Sequence, residues 1–219
     1  MTDKALFRHI DHTLLKPFAT WSEIELLCDQ AVRYQTASVC IPPSYVKRVY
    51  DGYGDKVNIC TVVGFPLGYS MTSAKVTEIE QAIADGCNEI DMVVNIGDVI
   101  NGDYAKVEEE IRILKRACGD HILKVIIETC FLSEEEKIAM CKAVTNAGAD
   151  YIKTSTGFGT GGATIEDIRL FRKYVGQNVK IKAAGGIKTR EELILFLEEG
   201  CDRIGTSSAV AILLGEQGY

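Results

Sequence analysis

The sequence has few histidines and no closely spaced pair of cysteines. It contains three histidines in 219 residues, and no two of its eight cysteines form a C-x-x-C pair. Zinc sites draw their ligands from such residues, so we expect no metal site. The cysteines are scattered along the chain, as small buried residues are, which predicts reduced thiols in a cytoplasmic protein.

Several functional classes lack their sequence patterns. No apolar run approaches the roughly 20 residues that span a bilayer. No apolar segment follows the first four residues, as it would in a signal peptide. A net charge of −7 argues against non-specific nucleic-acid binding, which needs a basic face. The Walker A loop and the G-x-S-x-G nucleophile motif are also missing. We therefore expect no membrane or nucleic-acid partner.

Short apolar runs alternate with amphipathic segments from end to end. Eight runs are rich in Val and Ile and too short for helices: 9–15, 37–41, 57–64, 89–95, 122–129, 150–154, 179–183 and 203–205. Six amphipathic segments predict helices: 22–35, 73–85, 104–118, 133–147, 165–174 and 191–199. Ser22 is a plausible N-cap, and Ser133 with Glu136 forms a capping-box pattern.

The alternation of strands and helices predicts parallel βαβ units. A count of eight favours a closed (β/α)8 TIM barrel over an open sheet. No Pro-rich or Ser-rich linker divides the chain, and 47% of its residues are hydrophobic. We therefore predict a single barrel domain over residues 1–219, with its functional residues at the C-terminal ends of the strands.

Two lysines lie near the ends of predicted strands, Lys153 in strand six and Lys182 in strand seven. Burying an ammonium group is costly, and lysine is the side chain that forms imines with carbonyl compounds. The attacking amine must be neutral, and a second ammonium about 4 Å away favours the neutral form by about 4 kcal/mol at an effective dielectric constant of about 20. The pair predicts Schiff-base chemistry on an aldehyde. The alternative is a lysine that reaches the barrel rim.

Asp91 lies between apolar residues in predicted strand four and needs a partner. It is either half of a structural salt bridge or a proton shuttle for imine chemistry. A charge pair with Lys153 would suppress the nucleophile, so we expect Asp91 to pair mainly with Lys182. Lys124, near the start of its strand, has a supporting role.

Glycines and hydroxyl residues follow the last two strands. Gly185, Gly186 and Gly205, with Ser207 and Ser208, lie where barrels often bind phosphate through backbone N–H groups. Ordinary turns are the alternative. Residues 157–162 match G-x-G-x-x-G, but the acidic residue that a dinucleotide site needs about 20 positions on is missing. We interpret this segment as a glycine-rich lid.

Seven segments together resemble the deoxyribose-phosphate aldolase family of class I aldolases over nearly the whole chain. They are IDHTLL (10–15), SVCI (38–41), EIDMVVN (89–95), LKVIIET (123–129), YIKTSTGF (151–158), KAAGGI (182–187) and RIGTSS (203–208). The resemblance implies reversible cleavage of 2-deoxyribose 5-phosphate to glyceraldehyde 3-phosphate and acetaldehyde without a cofactor. We also expect deoxyribonucleoside catabolism and a homo-oligomer, a dimer or a tetramer.

The resemblance also implies roles for individual residues. Lys153 matches the family's Schiff-base lysine, Lys182 its second lysine, and Asp91 its proton-shuttling aspartate. The positions associated with the substrate phosphate are Gly157, Gly185, Gly186, Gly205, Ser207 and Ser208. Supporting positions are Asp11, Thr13, Cys40, Lys124 and Thr156, with the terminal Tyr219, which assists proton transfer in some relatives.

Phe158 and Cys40 bear on how the substrate pocket is built. Some relatives have a lysine where this chain has Phe158, which removes one cation from the phosphate pocket. Cys40 is either a pocket thiol or a packed core residue. The alternatives to an aldolase are an isomerase or epimerase barrel, which would use a carboxylate or metal, and a barrel that binds a sugar phosphate without turnover.

Overall fold

In the computed structural model, which describes residues 1–215, eight short strands alternate with helices. The strands are β1 (Ile10–Thr13), β2 (Ser38–Ile41), β3 (Ile59–Val63), β4 (Glu89–Val93), β5 (Ile122–Ile126), β6 (Tyr151–Lys153), β7 (Lys180–Ala184) and β8 (Arg203–Thr206). The helices are α1 (Asp3–Phe7), α2 (Trp21–Tyr34), α3 (Val46–Tyr53), α4 (Thr72–Ala84), α5 (Ile96–Ile100), α6 (Tyr104–Cys118), α7 (Glu134–Asn146), α8 (Ile165–Tyr174), α9 (Arg190–Glu198) and α10 (Ala209–Leu214). Each predicted strand overlaps an observed one.

The eight strands form a closed parallel barrel in sequence order. Strand β8 pairs with β1, with Gly205 in register with Asp11, and this pairing closes the sheet. The predicted (β/α)8 barrel is therefore confirmed. Because all strands are parallel, their carboxyl ends open on one face, where the active sites of such barrels lie.

The six predicted helices correspond to α2, α4 and α6 to α9. Ser133 and Glu136 form the predicted capping box of α7. The predicted N-cap of α2 was wrong: the cap is Thr20 rather than Ser22, because Glu23 Oε2 accepts a hydrogen bond from Thr20 N at 2.7 Å. Helices α1, α3 and α5 were not predicted, because they are too short to show a clear period. No helix within residues 1–215 is long and apolar enough to cross a bilayer.

Alternation along β4 separates apolar side chains from charged ones. In β4, Ile90 and Met92 belong to the apolar core, whereas Glu89 and Asp91 are buried among other charged groups. Side chains two apart on a strand share a face, so the second set points into the barrel. Such interiors are usually filled by branched apolar residues. Here charged side chains fill much of the interior, and this places the candidate site.

Candidate active site

A single carboxylate lies at the centre of the buried charges. Asp91 Oδ2 accepts hydrogen bonds from Lys153 Nζ and Lys182 Nζ, both at 2.7 Å. Its other oxygen, Oδ1, accepts one from Lys124 Nζ at 2.9 Å. Asp91, Lys124 and Lys182 are fully buried, and Lys153 is 2% exposed. The fold thus brings the three principal predicted residues together and adds Lys124.

The register of the sheet explains this convergence. Asp91 is directly opposite Lys124 across the β4–β5 pair, and Lys153 is opposite Lys182 across the β6–β7 pair. Because all four face the interior, lysines from β5, β6 and β7 reach the same carboxylate on β4. One substitution at Asp91 would therefore leave three ammonium groups short of a partner.

A second tier of charges holds this cluster in place. Asp11 Oδ2 lies 2.5 Å from Lys182 Nζ and 3.5 Å from Lys124 Nζ. Glu89 Oε2 lies 2.6 Å from Lys124 Nζ, and Glu89 Oε1 accepts from Arg203 at 2.9 Å. Arg203 also binds Asp11. Buried charges are tolerated when they are paired in this way, and Asp11 and Lys124 are both members of this paired network.

The pairing determines which groups are ionised. Burial alone would raise the pKa of Asp91, but the ammonium groups of Lys124, Lys153 and Lys182 hold it well below its usual range. Burial opposes the charge on Lys182, but Asp11 and Asp91 raise its pKa above the ordinary value. At neutral pH the cluster therefore contains an ionised Asp91 and a protonated Lys182.

One expectation about this cluster was wrong. We predicted that Asp91 pairs mainly with Lys182, but the contacts of Asp91 with Lys153 and Lys182 have the same length, 2.7 Å. The reason is geometric: both lysines extend from adjacent strands toward one oxygen. Asp91 Oδ2 is consequently the shared counter-ion of both lysines.

A cavity of about 430 Å³ opens at the C-terminal ends of β1, β6, β7 and β8. Lys153 lines it, so this member of the cluster faces the space where a substrate would sit. The six residues expected to contact phosphate all line the same cavity: Gly157, Gly185, Gly186, Gly205, Ser207 and Ser208. Thr13 and Thr156 also line it. The fold thus gathers residues from distant parts of the sequence around one space.

Backbone geometry explains two of the glycines. Gly185 and Gly186 have positive φ angles of 84° and 80°, which residues other than glycine rarely adopt. A Cβ on Gly162 would lie 2.3 Å from the carbonyl oxygen of Gly185. The segment 157–162 therefore packs directly against the β7 exit. Ser208 occupies the N-cap position of α10, but its side chain makes no capping hydrogen bond.

Glu128 fixes the end of β6 and was not predicted. It is buried with a positive φ of 51°. Its carboxylate accepts hydrogen bonds from Thr156 N at 3.1 Å and from Thr156 Oγ1. Through these bonds Glu128, which follows the neighbouring strand β5, fixes the position of the cavity residue Thr156. The sequence signal was available, since Glu128 follows β5 as Thr156 follows β6.

Cys40 lies in the core and does not line the cavity. It is fully buried beside Cys60 and Val62. A hydrogen bond with Cys60 lowers the pKa of the Cys40 thiol, and burial raises that of Cys60. Among residues 1–215, Cys40, Cys60 and Asp91 are one set whose potential metal-ligand atoms lie within 4.8 Å of one another. Because three ammonium groups already surround Asp91, the set fits a divalent cation poorly.

Two lysines at the cavity were missed by the sequence analysis. Lys16 follows β1 and Lys188 follows β7, and both line the cavity. The sequence feature that could have predicted them is a lysine three or four residues after the end of a strand. Tyr219, which was also predicted to assist the site, lies outside the described residues.

The fold and the site together define a class. A (β/α)8 barrel with a lysine–aspartate cluster at the end of an open cavity is an enzyme barrel. The model of the DeoC/LacD family aldolases matches residues 6–212. The chain belongs to this family, and the protein is an aldolase, a carbon–carbon lyase.

Individual proteins show how close this relationship is. The chain is 66% identical over 221 residues to "Deoxyribose-phosphate aldolase" of Clostridium botulinum (strain Alaska E43 / Type E3), and the match covers 100% of both chains. The solved structure of the aldolase QR15 is 39% identical, with a TM-score of 0.91, over 95% of this chain and 94% of that one. The tetrameric deoxyribose phosphate aldolase of Aeropyrum pernix is 29% identical, with a TM-score of 0.87, over 97% of this chain and 91% of that one.

Proposed function

We propose that the protein is a Schiff-base aldolase that reversibly cleaves 2-deoxy-D-ribose 5-phosphate to D-glyceraldehyde 3-phosphate and acetaldehyde. The observation that carries this proposal is the position of Lys153. Its Nζ lies 2.7 Å from Asp91 Oδ2 in the buried cluster, and the same lysine lines the cavity that we assign to the substrate. Full-length identity to a protein named for this activity supports the same substrate.

The first steps form the imine. Lys153, as the neutral amine, attacks C1 of the open-chain aldehyde. The hydroxyl group of the carbinolamine takes a proton from protonated Lys182, through a water molecule, and leaves as water to give an iminium ion. A nearby carboxylate favours that cation, so the ionised Asp91 stabilises the intermediate.

Cleavage uses the iminium ion as an electron sink. Because acetaldehyde carries away C1 and C2, the bond that breaks is C2–C3. Asp91, directly or through a water molecule, removes the proton of the 3-hydroxyl group, and C3 becomes the aldehyde carbon of glyceraldehyde 3-phosphate. Asp91 passes this proton to Lys182, 2.7 Å away, and Lys182 protonates the remaining enamine at C2. Water then hydrolyses the iminium ion, which releases acetaldehyde, regenerates neutral Lys153 and returns a proton to Lys182.

The phosphate end of the substrate has a matching set of groups. Gly157, Gly185, Gly186 and Gly205 leave room for a phosphate to approach the backbone, and Ser207 and Ser208 supply hydroxyl groups at the same cavity. The proposed catalytic domain spans residues 1–219 and needs no cofactor. We further propose a cytoplasmic homo-oligomer, a dimer or tetramer, that acts in deoxyribonucleoside catabolism, with no membrane or nucleic-acid partner.

Reductive trapping tests this proposal. The protein is incubated with acetaldehyde and sodium borohydride, digested, and mapped by mass spectrometry. We expect an ethyl group on Lys153, lost in Lys153→Ala but retained in Lys180→Ala, which removes an exposed lysine two residues before Lys182. An adduct spread over surface lysines, or none, contradicts the imine. Cleavage of 2-deoxyribose 5-phosphate is measured in parallel to test the substrate.

A further inference from the structure

Two thiols lie beside Asp91, the carboxylate at the centre of the lysine–aspartate cluster. Cys40 of β2 and Cys60 of β3 are directly opposite each other across the paired strands. Both are fully buried. Their sulfur atoms lie within 4.8 Å of each other and of an Asp91 carboxylate oxygen. Neither thiol takes part in the proposed cleavage steps, so the pair is open to a different role.

The register places these two cysteines at a separation that a disulfide spans. Adjacent strands lie about 4.8 Å apart, and bridged cysteines have Cα atoms about 4.4–6.8 Å apart. Both side chains point to the same side of the sheet, where they pack with Val62 in one cluster. A disulfide prefers Cβ atoms about 3.8 Å apart, which is closer than the strand spacing. The bridge therefore draws the two strands together, and this strain makes the bond easy to reduce.

Cys60 also belongs to the charged cluster. Its Sγ donates a hydrogen bond to Asp91 Oδ1 at 3.2 Å and accepts one from Lys124 Nζ at 3.2 Å. A disulfide sulfur has no proton to donate, so oxidation removes one donor from the carboxylate. Because β2 lies on the other side of β3 from β4 and β5, a bond to Cys40 also pulls the Cys60 sulfur away from Lys124. Oxidation therefore changes the surroundings of Asp91 directly.

The two thiols differ in how easily they ionise. A hydrogen bond with Cys60 lowers the pKa of the Cys40 thiol, although burial acts against it. Burial raises the pKa of the Cys60 thiol well above its ordinary value. The thiolate is the form of cysteine that reacts with peroxides. Cys40 is therefore the thiol that reacts first, and Cys60 is the thiol that resolves the product.

One layer of side chains separates the thiols from the substrate cavity. Leu15 and Phe65, both half-buried, pack against the cluster of Cys40, Cys60 and Val62. Leu15 also lines the cavity. A small oxidant in the cavity is therefore one side-chain layer away from the pair, whereas a second protein has no such approach.

We propose that Cys40 and Cys60 form a modification site, at which hydrogen peroxide produces a reversible intramolecular disulfide that lowers the aldolase activity. The Cys40 thiolate attacks one peroxide oxygen, the O–O bond breaks, and the leaving hydroxide takes up the proton that Cys40 released. Cys60 then attacks the sulfur of the resulting sulfenic acid, the S–O bond breaks, and hydroxide leaves as water with the Cys60 proton. The two thiols thus lose two electrons, and one peroxide is reduced to two water molecules. Dithiothreitol reverses the bond by thiol–disulfide exchange.

The test follows the disulfide and the activity in the same samples. The protein is treated with hydrogen peroxide, denatured and alkylated, and its peptides are mapped by mass spectrometry with and without dithiothreitol. We expect two peptides joined through Cys40 and Cys60. Because a hydrogen bond to a charged group is lost, we expect kcat for 2-deoxyribose 5-phosphate to fall about tenfold or more and to recover with dithiothreitol. The disulfide itself does not depend on the proposed function, but its effect on cleavage does.

Three variants make the test specific. Cys40→Ala and Cys60→Ala each remove one half of the bridge, so peroxide should leave kcat of each variant at the value of its own untreated sample. Cys130→Ser removes the half-buried cysteine, whereas the other seven are buried, and it should lose as much activity with peroxide as the wild type does.

The outcomes separate the site from its effect. If Cys40 and Cys60 remain open to alkylation after peroxide, or if Cys40→Ala is inactivated as the wild type is, the modification site is wrong. If the bridge forms and kcat is unchanged, the control of activity is wrong. If the untreated wild type does not cleave the sugar phosphate, the proposed function itself is wrong, while the peptide map still decides whether the disulfide forms.

Discussion

Lys153 and Lys182 donate to the same oxygen, Oδ2 of Asp91, each at 2.7 Å. Two ammonium groups that share one oxygen are separated by no more than twice that distance, which is well within reach of Coulombic repulsion. The carboxylate between them offsets that repulsion and keeps both groups in the barrel. Both the activity and the stability of the protein should therefore depend on Asp91.

Asp91→Asn should lower both. The amide leaves the ammonium groups of Lys124, Lys153 and Lys182 without their shared counter-charge. Breaking a buried pair typically costs about 3–5 kcal/mol, and losing a proton shuttle costs about 10²–10⁴-fold in rate. Urea unfolding and kcat, measured at a temperature where the variant is folded, test these two effects separately.

The matched control is Asp51→Asn, which removes an exposed carboxylate paired with Lys47 on α3. An exposed pair contributes little, so we expect unfolding and kcat close to those of the wild type. If Asp91→Asn behaved like this control, Asp91 would be neither the counter-ion nor the shuttle.

The barrel and the main residues of its site could be predicted because both depend on local patterns. Valine- and isoleucine-rich runs mark the strands, and polar residues at strand ends mark the site. The partners of Asp91 could not be predicted in this way. They depend on how lysines from three strands extend inside a closed barrel, and on the second-tier pairs formed by Glu89 and Arg203.

The same cluster predicts how stability varies with pH. The folded pKa of Asp91 lies below its ordinary 3.8, so its contribution is present above about pH 4 and is lost as the solution becomes more acidic. The folded pKa of Lys182 lies above its ordinary 10.5, so its contribution is present below about pH 10 and is lost at higher pH.

We therefore expect the cluster's contribution to the free energy of unfolding to be flat from about pH 5 to 9 and to fall on both sides. Urea titrations across this range measure it. The difference between wild type and Asp91→Asn should shrink as the pH drops below 4, because the carboxylate of the unfolded wild type then binds a proton while the folded carboxylate, with its lower pKa, does not. A difference that stays constant down to pH 2 would contradict the assignment.

Lys75 shows that a buried lysine need not belong to the site. It is fully buried in α4 and donates to Glu110 Oε2 and to the carbonyl of Val93, both at 2.9 Å. Lys75→Met leaves Glu110 buried without its cation, which should destabilise the fold by about 3–5 kcal/mol. Adding Glu110→Gln should recover part of the loss, while kcat of the folded enzyme stays near the wild-type value. A large drop in kcat at unchanged stability would place Lys75 in the catalytic machinery.

Gly162 connects the glycine segment to the phosphate end of the cavity. A Cβ at this position would lie 2.3 Å from the Gly185 carbonyl oxygen and 2.5 Å from its carbon. Backbone atoms cannot yield as a flexible side chain does, so Gly162→Ala must displace either segment 157–162 or the β7 exit. Such overpacking typically costs about 1–3 kcal/mol. Because Gly185 and Gly186 belong to the proposed phosphate site, KM for 2-deoxyribose 5-phosphate should rise more than KM for 2-deoxyribose. Gly52→Ala, where a Cβ meets nothing within 4 Å, is the matched control and should leave both KM values unchanged. If Gly162→Ala changed the KM values of the two sugars equally, the contact between Gly162 and Gly185 would have no role in phosphate binding.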